Sequence, residues 1–150
     1  MIQLRKKVKI KQLSRQFVMP KMADDGSVGY DLYACITRPI AIAPHKTAKI
    51  GVGFALEPPR GYFAAIFPRS GLSTKEGLRL ANSVGIVDPS YRNEIAVVLY
   101  NDSDEVRKIE PNERIAQIVF LRYGRFECHL VSSLSKTERG MGGFGHSGKF

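Results

Sequence analysis

The chain has no tryptophan, two cysteines and three histidines, and it lacks any long run of apolar residues. Each shortage excludes something. A membrane-spanning helix needs about 18 or more consecutive apolar residues, so no span is expected. The basic N-terminus is not followed by an apolar stretch of signal-peptide length, and an intracellular, cytoplasmic protein is expected. Cys35 and Cys128 have no Cys-x-x-Cys neighbours, and His45, His129 and His146 are scattered, which leaves no spacing for a transition metal. A chain of this size needs no staple, so two buried reduced thiols are expected ahead of a structural disulfide. Helical periodicity is nearly absent as well. Only residues 70–75 read as a helix, with Ser70 as its cap and Gly77 as its stop.

What is present suits one soluble domain. At 150 residues, 43% hydrophobic and 25% charged, the chain can build a single core of ordinary composition. Its net charge of +9 is unevenly spread. Arg5, Lys6, Lys7, Lys9, Lys11, Arg15 and Lys21 fall in a stretch without any acid. Such an arm either binds nucleic acid or is an edge strand kept soluble by lysines. The alternation Val8-Lys9-Ile10-Lys11-Gln12-Leu13 has the period of two of a half-buried strand and favours the second reading.

Short apolar or alternating runs recur at 30–35, 48–52, 62–67, 95–100, 114–120 and 126–131, broken by Gly, Pro, Asn and Asp. This spacing predicts an all-β sandwich or barrel. The run Ile95-Ala96-Val97-Val98-Leu99-Tyr100 contains no polar residue, so both of its faces need cover. In a small domain the second cover is another subunit, and a homo-oligomer is expected.

Several segments carry candidate chemistry. Gly29-Tyr30-Asp31-Leu32-Tyr33-Ala34 buries a lone acid, whose partner is a backbone N–H, an arginine or a hydrated metal ion. Pro68-Arg69-Ser70-Gly71-Leu72-Ser73 sets a guanidinium fork beside free N–H groups, which either attracts an anion or is a plain helix cap. Residues 82–95 read as a β-hairpin with arms at 84–87 and 95–100. In its loop, Asp88 is either an Asx-turn initiator or a fixed carboxylate that takes a proton from water. Tyr91 is either a corner residue or a ring that packs on a flat ligand. In the strand at 114–120, the buried amide of Gln117 needs hydrogen-bond partners.

The last segment, from Arg139 to Phe150, holds five glycines. Gly140-Met141-Gly142-Gly143-Phe144-Gly145 spells G-x-G-x-x-G, but a dinucleotide fingerprint needs a strand before it, a helix after it and an acid about 20 residues on. With Ser147 and Gly148 following, no helix is expected. The segment reads instead as a flap. It is too polar to order itself against its conformational entropy, yet its N–H groups can wrap a polyanion. Residues 1–137 are then the core, and 138–150 a flexible flap of the same domain.

In this order, these segments resemble the five motifs of the trimeric deoxyuridine triphosphatases (dUTPases), from Gly29 to Gly148. The resemblance implies a jelly-roll-like β-barrel, the dUTPase-like β-clip, with one short helix and a threefold homotrimer. It implies Mg²⁺-dependent hydrolysis of dUTP to dUMP and pyrophosphate, which keeps uracil out of DNA and supplies dUMP for thymidylate synthesis. Each active site would borrow motifs from all three subunits. Asp88 matches the general base, and Tyr91 the ring beneath the deoxyribose. Asn82 and the backbone at Gly85, Ile86, Val87 and Ala96 match the uracil-reading surface. Arg69, Ser70, Gly71 and Gln117 match phosphate contacts, and Asp31 matches an acid that holds a Mg²⁺-bound water. Phe144 matches the ring over uracil, while Arg139, Gly145, His146 and Ser147 match flap contacts near the γ-phosphate. The chain departs from the family pattern at Ser90, Asn93, Asn112-Glu113 and His146.

Two rival readings differ in chemistry. A dCTP deaminase of the same fold needs a glutamate on the strand after the hairpin, where this chain has Val98. A regulatory trimer that docks a protein or nucleic acid would draw on the basic N-terminus, and salt-dependent binding would reveal it.

Overall fold

Burial of alternate side chains builds the strands. In the strand Ala96–Asn101, Val97 and Leu99 are buried while Ala96, Val98 and Tyr100 stay half-buried, as pleating requires. The computed structural model describes residues 6–147. Arg5 of the basic arm and residues 148–150 of the glycine segment lie outside the described residues. The elements run β1 (Lys9–Gln12), β2 (Tyr30–Tyr33), β3 (Ile40–Ile42), β4 (Thr47–Gly51), β5 (Phe54–Glu57), β6 (Tyr62–Phe67), α1 (Ser70–Glu76), β7 (Leu78–Leu80), β8 (Gly85–Val87), β9 (Ala96–Asn101), β10 (Arg107–Ile109) and β11 (Arg114–Arg122).

The strands pair antiparallel in the orders β2-β11-β6-β8, β4-β9-β7, β1-β5 and β3-β10. Leu32, Ile42, Ile50, Phe54, Leu99, Ile115 and Ile118 form one buried cluster between them. The buried Asn101 is fully satisfied. Its Nδ2 donates to the carbonyls of Ile42 (2.9 Å) and Glu105 (2.7 Å), and its Oδ1 accepts from Ser103. The expected edge strand is β1, with Lys9 and Lys11 exposed. No helix among the described residues is long and apolar enough to cross a membrane.

Several expectations need correction. The strands do not close into a barrel; they divide among four sheets, because runs this short end before a continuous ladder can wrap around. Residues 126–131 form no strand and are exposed, for this segment pairs with no other part of the chain among the described residues. The two arms of the expected hairpin do not pair with each other: β8 joins β6, and β9 lies between β4 and β7. Helix α1 stops at Gly77 (φ 69°) as expected, but its N-cap residue is Arg69, and no side chain caps it. Cys35 and Cys128 are free, as expected, but neither is buried: Cys35 is partly exposed, and Cys128 lies in the exposed C-terminal arm that follows β11.

Candidate active site

Three strands and a turn assemble a charged cleft. In register across the sheet, Asp31 of β2 stands beside Gln117 of β11, which stands beside Phe67 of β6. Phe67 leads through Pro68 to Arg69, so the row of side chains runs into the start of α1. A bulge between Arg114 and Ala116 resets the pleat. It brings Arg114 to the same face as Gln117, although the two are an odd number of residues apart. Asp31 accepts from Arg69 Nε at 3.1 Å and from Arg114 Nη1 at 3.4 Å. Arg69 also donates to the Arg114 carbonyl at 3.3 Å. Gln117 donates to the Pro68 carbonyl at 3.0 Å. Gly29 lets that side chain approach closely, for an added Cβ there would collide with the Gln117 amide. The cleft, about 630 Å³, is lined by Ser27, Gly29, Asp31, Arg69, Ser70, Gly71 and Gln117. Two guanidinium groups held in place by one carboxylate, beside free N–H groups at a helix start, suit a phosphate chain. Of the three partners open to Asp31 from the sequence, the arginines are the ones it meets.

A second cleft of about 230 Å³ opens where β8 and β9 part company. It is lined by Lys49, Asn82, Gly85, Ile86, Val87, Asp88, Tyr91, Ala96 and Val98. Because β8 and β9 belong to different sheets, their facing edges are not paired with each other. Backbone donors and acceptors at a slot of this kind can read the edge of a flat ring by hydrogen bonding. Asp88 follows β8 and is exposed, and the Tyr91 N–H closes a turn onto the Asp88 carbonyl at 3.0 Å. Tyr91 keeps its ring open to solvent while its hydroxyl donates to the Glu94 carbonyl at 3.0 Å. Asn93 is not among the residues with positive φ, whereas Asn112 is, at φ 61°. Asparagine tolerates that left-handed conformation.

The glycine-rich segment makes a third cleft, lined by Arg139, Gly143, Phe144, Gly145, His146 and Ser147. Among the described residues its hydrogen bonds are local: Arg139 Nε donates to the Gly142 carbonyl at 2.8 Å, the His146 N–H to that of Gly143 at 3.0 Å, and the Gly140 N–H to Thr137. The Phe144 ring is fully exposed. The structure therefore brings Asp31, Arg69, Ser70, Gly71 and Gln117 together, and separately Asn82, Gly85, Ile86, Val87, Asp88, Tyr91 and Ala96. It does not bring either group to the other or to the flap, and the three clefts share no lining residue. Sequence reasoning missed Arg114 and Lys49. The bulge hid the first, and the second sits in an alternating strand like any surface lysine.

An arginine-lined cleft, a slot beside the free edge of β8 and a glycine segment with an exposed ring suit a nucleotide-binding protein. The sequence profile of the dUTPase family matches residues 15–148. The deoxyuridine 5'-triphosphate nucleotidohydrolase of Idiomarina loihiensis is 41% identical over 152 residues, covering 99% of each chain. Its counterpart in Sodalis glossinidius is 43% identical over 149 residues, covering 96% of this chain and 99% of its own. Among solved structures, the Staphylococcus bacteriophage 80alpha dUTPase with dUPNHPP superposes with a TM-score of 0.86 at 27% identity, covering 95% of this chain and 98% of its own. A point mutant of the dUTPase from phage phi11 of S. aureus, described with a structural Mg(II) ion, shares the fold at 21% identity and a TM-score of 0.76, covering 87% of this chain and 99% of its own. The chain belongs to the dUTPase family.

Proposed function

We propose that this protein hydrolyses dUTP to dUMP and pyrophosphate, at sites built from three copies of the chain. The observation that carries the reading is the division of the site residues among three clefts within one chain. A triphosphate in the arginine cleft, a base in the slot and a ring over that base meet only if different copies supply them. The C-terminal arm supports this. Phe126, Leu130 and Leu134 are almost wholly exposed, and apolar side chains displayed along a bare segment need cover from a second copy. Homotrimerisation with shared sites supplies that cover and also a second layer over Val98 and Tyr100.

In the assembled site the slot accepts uracil, whose donor and acceptor pattern the backbone at Gly85, Ile86, Val87 and Ala96 and the amide of Asn82 complement. Cytosine would leave those groups unpaired, which is the strongest form of discrimination a polar slot has. The Tyr91 ring lies against the deoxyribose and leaves no room for a 2′-hydroxyl. Asp88 takes a proton from water as it attacks the α-phosphorus, since water is a poor nucleophile at neutral pH. Arg69, with the N–H groups of Ser70 and Gly71, and Gln117 hold the phosphates and spread the charge of the leaving pyrophosphate. The flap closes with Phe144 over uracil, and Arg139, Gly145, His146 and Ser147 reach the far phosphate.

Mg²⁺ fits this site only with substrate oxygens and water as its main ligands. No cluster of three His, Cys, Asp or Glu occurs among the described residues, and Asp31 already accepts from two guanidinium groups. Asp31 would therefore hold a metal-bound water through a remaining lone pair, in keeping with the reluctance of Mg²⁺ to shed its hydration. When bound, the ion supplies charge neutralisation along the polyphosphate. The test is pyrophosphate release from dUTP, dTTP, dCTP and UTP by wild type and Asp88→Asn. The expected result is turnover of dUTP alone and a loss of about 10²–10⁴-fold in kcat for the variant. Equal turnover of all four nucleotides, or an unaffected variant, refutes the specificity or the base. Ammonia release from dCTP would point instead to deamination.

A further inference from the structure

The loop that carries Asp88 and Tyr91 is not braced by pairing between β8 and β9, because those strands belong to different sheets. It is held at its foot instead. Val52 donates its N–H to the Ile95 carbonyl at 3.0 Å, and Ile95 donates to the Phe54 carbonyl at 2.9 Å. Between these two, the N–H of buried Gly53 is taken by the Glu94 side chain, through Oε1, at 2.9 Å. Gly53 adopts φ 78°, a conformation that side chains strain. The main-chain carbonyl of the same Glu94 accepts the Tyr91 hydroxyl at 3.0 Å. Tyr91 in turn donates its N–H to the Asp88 carbonyl at 3.0 Å. One residue thus links the buried turn at Gly53 to the ring, and through the ring's backbone to the acid.

Two neighbours show that the contact is specific. Gly51 leaves room for the carboxylate: a Cβ added there would lie 2.9 Å from Glu94 Cδ. That atom belongs to a flexible side chain, so an alanine at position 51 would displace the carboxylate and not the backbone. Arg92 is no substitute for Glu94. It donates to the Pro89 and Tyr91 carbonyls inside the loop and reaches Glu57 only at 3.7 Å.

We propose that Glu94 is a positioning residue for sugar selectivity, anchoring the Tyr91 ring to the core through Gly53 so that a ribose 2′-hydroxyl is excluded. The inference rests on Tyr91 being the sugar-contacting ring of the proposed dUTP site. The test measures kcat and KM for dUTP and UTP with wild type, Glu94→Ala, Glu94→Gln and Gly51→Ala, alongside thermal unfolding. In Glu94→Gln the amide oxygen still accepts the Gly53 N–H, and the wild-type ratio of kcat/KM between the two nucleotides is expected. Glu94→Ala and Gly51→Ala each lose the contact, and relative use of UTP is expected to rise about tenfold. Both also leave the buried Gly53 N–H without its acceptor, so a lower Tm is expected in each. An unchanged ratio in both alanine variants, or the same change in Glu94→Gln as in Glu94→Ala, overturns the inference. If Glu94→Ala does not fold, Gly51→Ala and Glu94→Gln decide it. A wild type inert toward dUTP overturns the proposed function as well, whereas an active wild type with unaltered variants overturns the role of Glu94 alone.

Discussion

Replacing Asp31 by asparagine removes one charge and almost no volume from the point where two arginines meet. The carboxylate side chain is 12% exposed and bonds Arg69 at 3.1 Å and Arg114 at 3.4 Å. Arg69 is 30% exposed, and a hydrogen bond between charged groups in such a setting contributes about 1.5–3 kcal/mol. Arg114 is half exposed, so solvent screening limits its share to about 1 kcal/mol or less. The asparagine oxygen keeps one neutral acceptor and recovers about 1 kcal/mol. A net loss of about 2 kcal/mol follows, or a fall in Tm of about 4–8 °C for a chain of this length. Both guanidinium groups also lose their alignment, and kcat/KM for dUTP is expected to fall about 10²-fold. Thermal unfolding should be compared at one protein concentration, because the Tm of an oligomer depends on it. A fall of less than about 1 °C, together with unchanged kcat/KM, would refute the view that Asp31 aligns the two arginines.

Other outcomes follow from the same geometry. Truncation after Thr137 removes a segment that, among the described residues, is hydrogen-bonded to the rest of the chain only through exposed Thr137; the Tm should hold while kcat/KM for dUTP falls steeply, and full activity of the truncated protein would remove the flap from the mechanism. Leu130→Glu places a charge on a fully exposed arm residue, so sedimentation should show loss of the oligomer with the strand content retained; a wild type that sediments as a monomer at micromolar concentration would contradict the shared site. The Glu57 carboxyl is held below its ordinary value of 4.5 by the Lys9 hydrogen bond first and the Lys9 charge second, against some desolvation, with Arg92 adding a little. A lowered folded-state pKa contributes stability at neutral pH that is lost as pH falls through that lowered value. Amide-exchange protection of β1, taken relative to the intrinsic exchange rate at each pH, should therefore fall slightly in acid below pH 4.5, and Glu57→Gln should abolish that dependence.

Several parts of the molecule were legible from residue pattern alone. The alternation in residues 8–13 marked β1 as a lysine-bearing edge, and the apolar run at 62–67 matched β6 in full. The three-residue strands Ile40–Ile42 and Arg107–Ile109 went unseen because they are too short to display a period. Asp31 was recognisable as a buried acid in need of a partner, but which partner was not. Arg114 escaped because strict alternation sets it on the face opposite Gln117, and only the bulge reverses that. The slot around Asn82 and Ala96 was visible as a hairpin, which is where the reading failed usefully: paired arms would have left no slot.

The amino-acid sequence by itself determined the kinds of groups available: a buried acid, a guanidinium at a helix start, a carboxylate and a ring in one loop, and a glycine-rich segment. These are properties of residue type and spacing, and local physics sets them. Only the tertiary structure decided which groups meet. Strand pairing joins residues far apart in the chain, so Asp31 finds Arg69 and Arg114 through the neighbours of β11. The same pairing sends β8 and β9 to different sheets and leaves a gap between them, lined by Asn82, Gly85 and Ala96.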